Sequence, residues 1–311
     1  MIKWKGVFPA LTTPFTADSK VDISLFEKSL DAQIAAGVHG LIVGGSLGEA
    51  STIRQDEKEI LVKTALQKSG GRIPVLLNIA ESVTFEAVKQ ARLAEEWGAQ
   101  GLMLLPPMRY KSDAVETVTY FKTIAASTDL PIMLYNNPVD YGIAITLDML
   151  EELTVVENIQ AVKESSRDVT NVTRMINRFG DRYSILCGVD TIAMEAFCLG
   201  ADGWVAGLVN AFPKETVLLY ELVKQGRIEE AQKLNRWFMP LLELDIHPKL
   251  VQYIKLAQAI TGLGTEFVRP PRLMLVGKER ESVLQVINES VATHPIMPSV
   301  EKKEKRFSKS L

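Results

Sequence analysis

Short continuous apolar runs alternate with amphipathic stretches along most of this chain. The runs fall at 6–12, 41–45, 73–79, 101–105, 132–137, 159–166, 184–188 and 203–207. Helical spacing of apolar residues fills the gaps, at 23–36, 54–69, 84–97, 115–127, 147–153, 170–179 and 191–199. Runs that are apolar throughout, rather than at every second position, predict strands buried on both faces. Strands alternating with helices predict a parallel sheet. Eight such units predict an α/β fold, a (β/α)8 TIM barrel. An open doubly wound sheet is the structural alternative. It would place a glycine-rich phosphate loop after the first strand, where this chain has Thr12-Thr13-Pro14-Phe15.

The rhythm changes after residue 210. Helical patterns at 214–224, 228–244, 250–260 and 279–292 follow one another without strands. The expected division is a barrel core over 1–210, C-terminal helices packed on it over 211–295, and a basic tail over 296–311 expected to be disordered. A short lysine-rich end is weak ground for a nucleic-acid arm.

Composition adds limits. The chain has 311 residues, 47% hydrophobic and 23% charged, with a net charge of −3. That balance offers no general attraction to nucleic acid or to an anionic membrane. No apolar stretch has the length of a bilayer span, and the expected location is cytoplasmic. Cys187 and Cys198 make no disulfide framework and read as small core residues. His39, His247 and His294 lie far apart without partners at ligand spacing, so no metal site is expected.

Barrel active sites lie at the C-terminal ends of the strands. The sixth run, Ile159-Gln160-Ala161-Val162-Lys163-Glu164-Ser165-Ser166, carries a lysine near that end. A buried lysine is either paired with an acid or kept partly neutral as a nucleophile. The plainer alternative is an edge-strand lysine with its head in water. Tyr135 ends the adjacent fifth run, where its hydroxyl can carry protons beside a Schiff-base lysine; otherwise it is a ring packed at the mouth. The segment Gly44-Gly45-Ser46-Leu47-Gly48-Glu49 can turn backbone N–H groups toward an anion, or it is only a tight turn. Glu49 reads as a structural partner that fixes this loop. The other strand ends offer Thr12 and Thr13, Asn78, Arg109 and Tyr110, Asn136, Asp190 and Asn210, and Gly188 and Val205 join the substrate-binding candidates.

These motifs resemble the dihydrodipicolinate synthase / N-acetylneuraminate lyase family. The likeness rests on Gly45-Ser46-Leu47-Gly48-Glu49, Tyr135-Asn136-Asn137-Pro138 and Val162-Lys163-Glu164-Ser165-Ser166-Arg167-Asp168, and it covers residues 1–295. It implies a TIM barrel with a helical extension, a homotetramer built from dimers, and a small 2-oxo or 2-imino acid substrate. It implies a Schiff base on Lys163 with no cofactor, Tyr135 as proton relay, and the substrate carboxylate held by Ser46 and the Leu47 backbone. Asp140 stands where the synthases carry an arginine for a second carboxylate, and an acid there would repel one. Leu47 replaces the usual threonine of the relay. Arg109, with Tyr110 beside it, stands where a tyrosine reaches across the dimer. The segments 203–213, 237–245, 250–256 and 269–273 resemble a subgroup of 1-pyrroline-4-hydroxy-2-carboxylate deaminases of hydroxyproline degradation. The resulting expectation is a Schiff-base lyase or hydrolase of that kind. A 2-keto-3-deoxy sugar acid aldolase or dehydratase, dihydrodipicolinate synthase itself, and a catalytically silent ligand-binding barrel are the alternatives.

Overall fold

The computed structural model of the chain describes residues 2–107 and 110–299. Eight strands form its sheet: β1 (Gly6–Pro9), β2 (Leu41–Val43), β3 (Val75–Ile79), β4 (Gly101–Leu104), β5 (Ile132–Asn136), β6 (Ile159–Glu164), β7 (Ser184–Cys187) and β8 (Gly203–Ala206). Each pairs in parallel with its neighbour, in the order β1-β8-β7-β6-β5-β4-β3-β2. A parallel bridge from Ala10 to Ile42 joins the two ends of that order. The chain is a (β/α)8 barrel. The strands are buried almost throughout, so burial on both faces explains their unbroken apolar runs.

Local chemistry sets the helix ends. Asp22 caps Ile23–Ala36 by accepting from Leu25 N at 3.0 Å, and Gly37 ends that helix in the left-handed region. Asp113 caps Ala114–Ala125 in a reciprocal box with Glu116.

The boundary expected at 210 lies too early. Pro213–Lys224 packs on β1 and β8, between the helices Ile23–Ala36 and Ala193–Cys198. It occupies the place of the eighth barrel helix. Tyr220 on it donates to Asp202 O at 3.0 Å, at the start of β8. The extension proper begins with Ile228–Leu242 and continues through the 3-10 turn Glu243–Ile246, then Leu250–Ile260 and Gly277–Ala292. Cys187 is buried, but Cys198 is exposed rather than a core residue. Ala193, Met194, Ala196 and Phe197 take the inward face of its helix and leave Cys198 facing out. The basic tail from residue 300 lies outside the described residues.

Candidate active site

Tyr135 and Lys163 are in-register partners on β5 and β6, so both side chains enter the barrel mouth side by side. The next pair points the other way and is hydrogen-bonded. Asn136 Nδ2 donates to Glu164 Oε2 at 2.8 Å, and Ser166 N donates to Glu164 Oε1 at 2.7 Å. That outer pair holds the register on which the inner one depends.

Lys163 is 6% exposed, and its Nζ lies 3.7 Å from the centre of the Tyr135 ring. It has no hydrogen bond or ion pair to any described residue. Burial lowers its pKa, against the opposing pull of Tyr141, Asp245 and Asp190. Gly188 makes room for it, since a Cβ there would lie 2.6 Å from Lys163 Cε and 2.1 Å from Ser165 Oγ. Ser165 Oγ itself is buried without a hydrogen-bond partner among the described residues.

Burial pushes the Tyr135 hydroxyl up to about 12, so it holds its proton at neutral pH. Asn137 Nδ2 donates to Tyr135 Oη at 3.2 Å and to Asp140 Oδ2 at 2.7 Å. The short helix Pro138–Tyr141, capped by Asn137, brings Asp140 and Tyr141 to the rim. Tyr141 packs edge-on against Tyr135, with ring centres 5.6 Å apart. Its hydroxyl shares a 2.5 Å hydrogen bond with Ser46 Oγ.

The loop after β2 is fixed from several sides. Asn78 Nδ2 donates to Gly44 O at 3.0 Å, and Thr13 Oγ1 donates to Gly48 O at 2.8 Å. Glu49 takes a left-handed backbone (φ 59°), uncommon for a residue with a side chain. Its buried carboxylate accepts from Lys255 Nζ at 2.6 Å and from Arg269 N at 3.0 Å, both on the C-terminal extension. The backbone N–H groups of Ser46 and Leu47 donate to no described residue, and a substrate carboxylate would satisfy them.

One cavity gathers these groups, about 630 Å³ including its open mouth. Gly45, Ser46, Leu47, Tyr135, Asp140, Lys163, Gly188 and Val205 of the sequence-derived set all line it. Tyr110 does not; it is 56% exposed, away from the cavity. Arg109 lies outside the described residues. Sequence reasoning missed Tyr141, Arg167 and Asp245, which also line the cavity. Asp245 did carry a signal. It falls three, four and seven residues after the buried Leu242, Leu241 and Phe238, so an acid sits on an otherwise apolar helical face.

A barrel with a buried, unpaired lysine beside a tyrosine at its mouth has the equipment of a class I aldolase-type enzyme. The model of the Dihydrodipicolinate synthetase family matches residues 3–290, and the chain belongs to that family. It is similar to 4-hydroxy-tetrahydrodipicolinate synthase of Exiguobacterium sibiricum, with 33% identity over 88% of this chain and 92% of that protein. Two solved structures resemble it closely. Dihydrodipicolinate synthase DapA-2 of Bacillus anthracis superposes with a TM-score of 0.88 at 28% identity, covering 93% of this chain and 99% of that one. Chloride-inhibited dihydrodipicolinate synthase of Acinetobacter baumannii, complexed with pyruvate, gives 0.87 at 25% identity over 93% and 99%. The chain is therefore a lyase-type enzyme of this family, whose members act on small molecules through a lysine Schiff base without a cofactor.

Proposed function

We propose that the chain is a 1-pyrroline-4-hydroxy-2-carboxylate deaminase, with Lys163 as its Schiff-base lysine. Asp140 on the cavity wall carries this reading. It stands where the synthases hold a second carboxylate with arginine, and an acid disfavours that substrate. The cyclic imine has a single carboxylate, which Ser46 and the backbone N–H groups of Ser46 and Leu47 would hold. Lys163 adds to C2 and displaces the ring nitrogen, which takes one proton from Lys163 and one from Tyr135 and becomes a primary amine on C5, leaving Tyr135 a phenolate. Tyr135 then takes a proton from C3, and the 4-hydroxyl departs. Hydrolysis at C5 and C2 gives ammonia and 2-oxoglutarate semialdehyde. Tyr141 replaces the hydroxyl that Leu47 lacks, because it bonds Ser46 and interacts with Tyr135. Asp140, tied to Tyr135 through Asn137, orients that relay and faces the amine. The working assembly is a homotetramer in which the exposed Tyr110 meets a second copy, and the molar mass in solution by light scattering tests it.

The test of the reaction supplies 4-hydroxy-1-pyrroline-2-carboxylate, generated in place, and follows ammonia and semialdehyde together. Both products are expected from the wild type and neither from Lys163→Ala. No release, while borohydride still traps pyruvate on Lys163, removes the deaminase reading. The names of the relatives favour a second one, dihydrodipicolinate synthase, which the same preparation tests with pyruvate and aspartate semialdehyde. Aldol cleavage or dehydration of a 2-keto-3-deoxy sugar acid would use the same lysine and tyrosine.

A further inference from the structure

Among the described residues, the extension brings Asp245, Ile246 and Leu250 to the barrel mouth, and of these only Asp245 carries an ionisable group. The turn Glu243–Ile246 packs on the 3-10 turn Asp190–Ile192 after β7, and Asp245 lines the cavity from there. Gly207 leaves the space that Asp245 fills, since a Cβ on it would lie 1.9 Å from Asp245 Oδ1 and 3.0 Å from Leu47 Cδ1. The Asp245 carboxyl makes no hydrogen bond to any described residue. Asp190, beneath it, is fully engaged: it accepts from Trp204 Nε1 at 2.8 Å, Leu208 N at 2.7 Å and Gly207 N at 3.1 Å. The charged groups facing Asp245 are Asp190, Lys163, Asp140 and Arg167. Burial raises both carboxyls: Asp245 stands well above the usual carboxylate range, with the neighbouring Asp190 adding to the rise, while at Asp190 the rise is opposed by its three N–H donors. Of the two acids, Asp245, which lines the cavity and has no described donor holding it, is the one placed to give a proton.

We propose that Asp245 is the general acid that protonates the hydroxyl leaving C4 of the substrate held on Lys163. This rests on the deaminase reading above. After Tyr135 removes the C3 proton, the C2–C3 enamine pair forms the C3–C4 double bond and the C4–O bond breaks. Asp245 gives its proton to that oxygen, which leaves as water. A proton lost from C5 returns through water to Asp245, and Tyr135 returns its own to C3. The C5 amine then tautomerises to an imine. Two waters hydrolyse the C5 and C2 imines and one was released, so the net reaction consumes one water and frees one ammonia.

The test compares wild type and Asp245→Asn on the 4-hydroxy substrate and on its 4-chloro analogue, whose leaving chloride needs no proton. Borohydride trapping of pyruvate on Lys163 checks that the variant is folded, and Asp245→Ser carries the same comparison should Asp245→Asn fail that check. Ammonia release from the hydroxy substrate is expected to fall about 100-fold or more, with chloride release within a few-fold of wild type. Equal losses on both substrates, or none on either, overturn the proposal alone. A wild type that turns over neither substrate while trapping pyruvate overturns the deaminase reading and the proposal with it.

Discussion

Lys163 and Lys255 are both buried, and only one of them is paired. Lys255 is 1% exposed and spends its protons on Glu49 Oε1 and Phe267 O, each at 2.6 Å. Lys163 is 6% exposed and points at a cavity with an aromatic face beneath it. Burial lowers both pKa values, that of Lys255 to about 8. Depth of burial therefore does not separate a structural lysine from the nucleophile proposed at Lys163. What separates them is whether a fixed acid consumes the ammonium, and whether open space lies in front of the nitrogen.

The sharpest break of that comparison is at Lys163. Lys163→Ala is expected to lose borohydride trapping of pyruvate altogether, with an unfolding free energy unchanged to within about 1 kcal/mol. Lys255→Ala should do the reverse, since it leaves the buried Glu49 short of its main partner. The expected loss is about 3 kcal/mol of stability, read by urea unfolding, with any surviving folded enzyme still trapping pyruvate. Tyr135→Phe comes next. Removing the hydroxyl should lower kcat about 100-fold and leave trapping detectable, as shown by steady-state kinetics beside mass spectrometry of the adduct. Asp140→Asn should cost about tenfold in kcat/KM, roughly one lost charge-assisted contact; unchanged turnover and affinity would remove Asp140 from the site.

The smallest effect concerns pH. The Lys255 pKa falls from 10.5 in the unfolded chain to about 8 in the fold. Between those values the unfolded chain binds more protons, so this group's penalty is full below about 8 and shrinks as pH rises toward 10.5. The stability difference between wild type and Lys255→Met should therefore change across that window. A difference that stays flat means that Glu49 keeps Lys255 charged.

The barrel was legible because strand burial writes itself into short contiguous runs, as in 75–79 and 159–164. The Tyr135–Lys163 pair was legible for the same reason, since both close such runs. Pro138 reads as the end of a strand, and here it also starts the turn that delivers Tyr141; a four-residue helix is too short to leave a period. Asp245 lies 82 positions after Lys163 in the chain, and no local pattern states that Glu243–Ile246 crosses to the mouth. Its place on an apolar face was the available clue. Lys255 shows the limit of the reverse inference, because nothing near it in sequence announces Glu49 as its partner.

The clamp on Glu49 also has a consequence in time. Its partners, Lys255 and Arg269, are made after all eight strands. As the ribosome delivers the chain, a complete barrel can exist while the loop at 45–49 still lacks the ion pair that fixes it. The loop is thus tightened only once the extension has emerged, and under the carboxylate-binding role proposed above a nascent barrel would grip its substrate poorly until then.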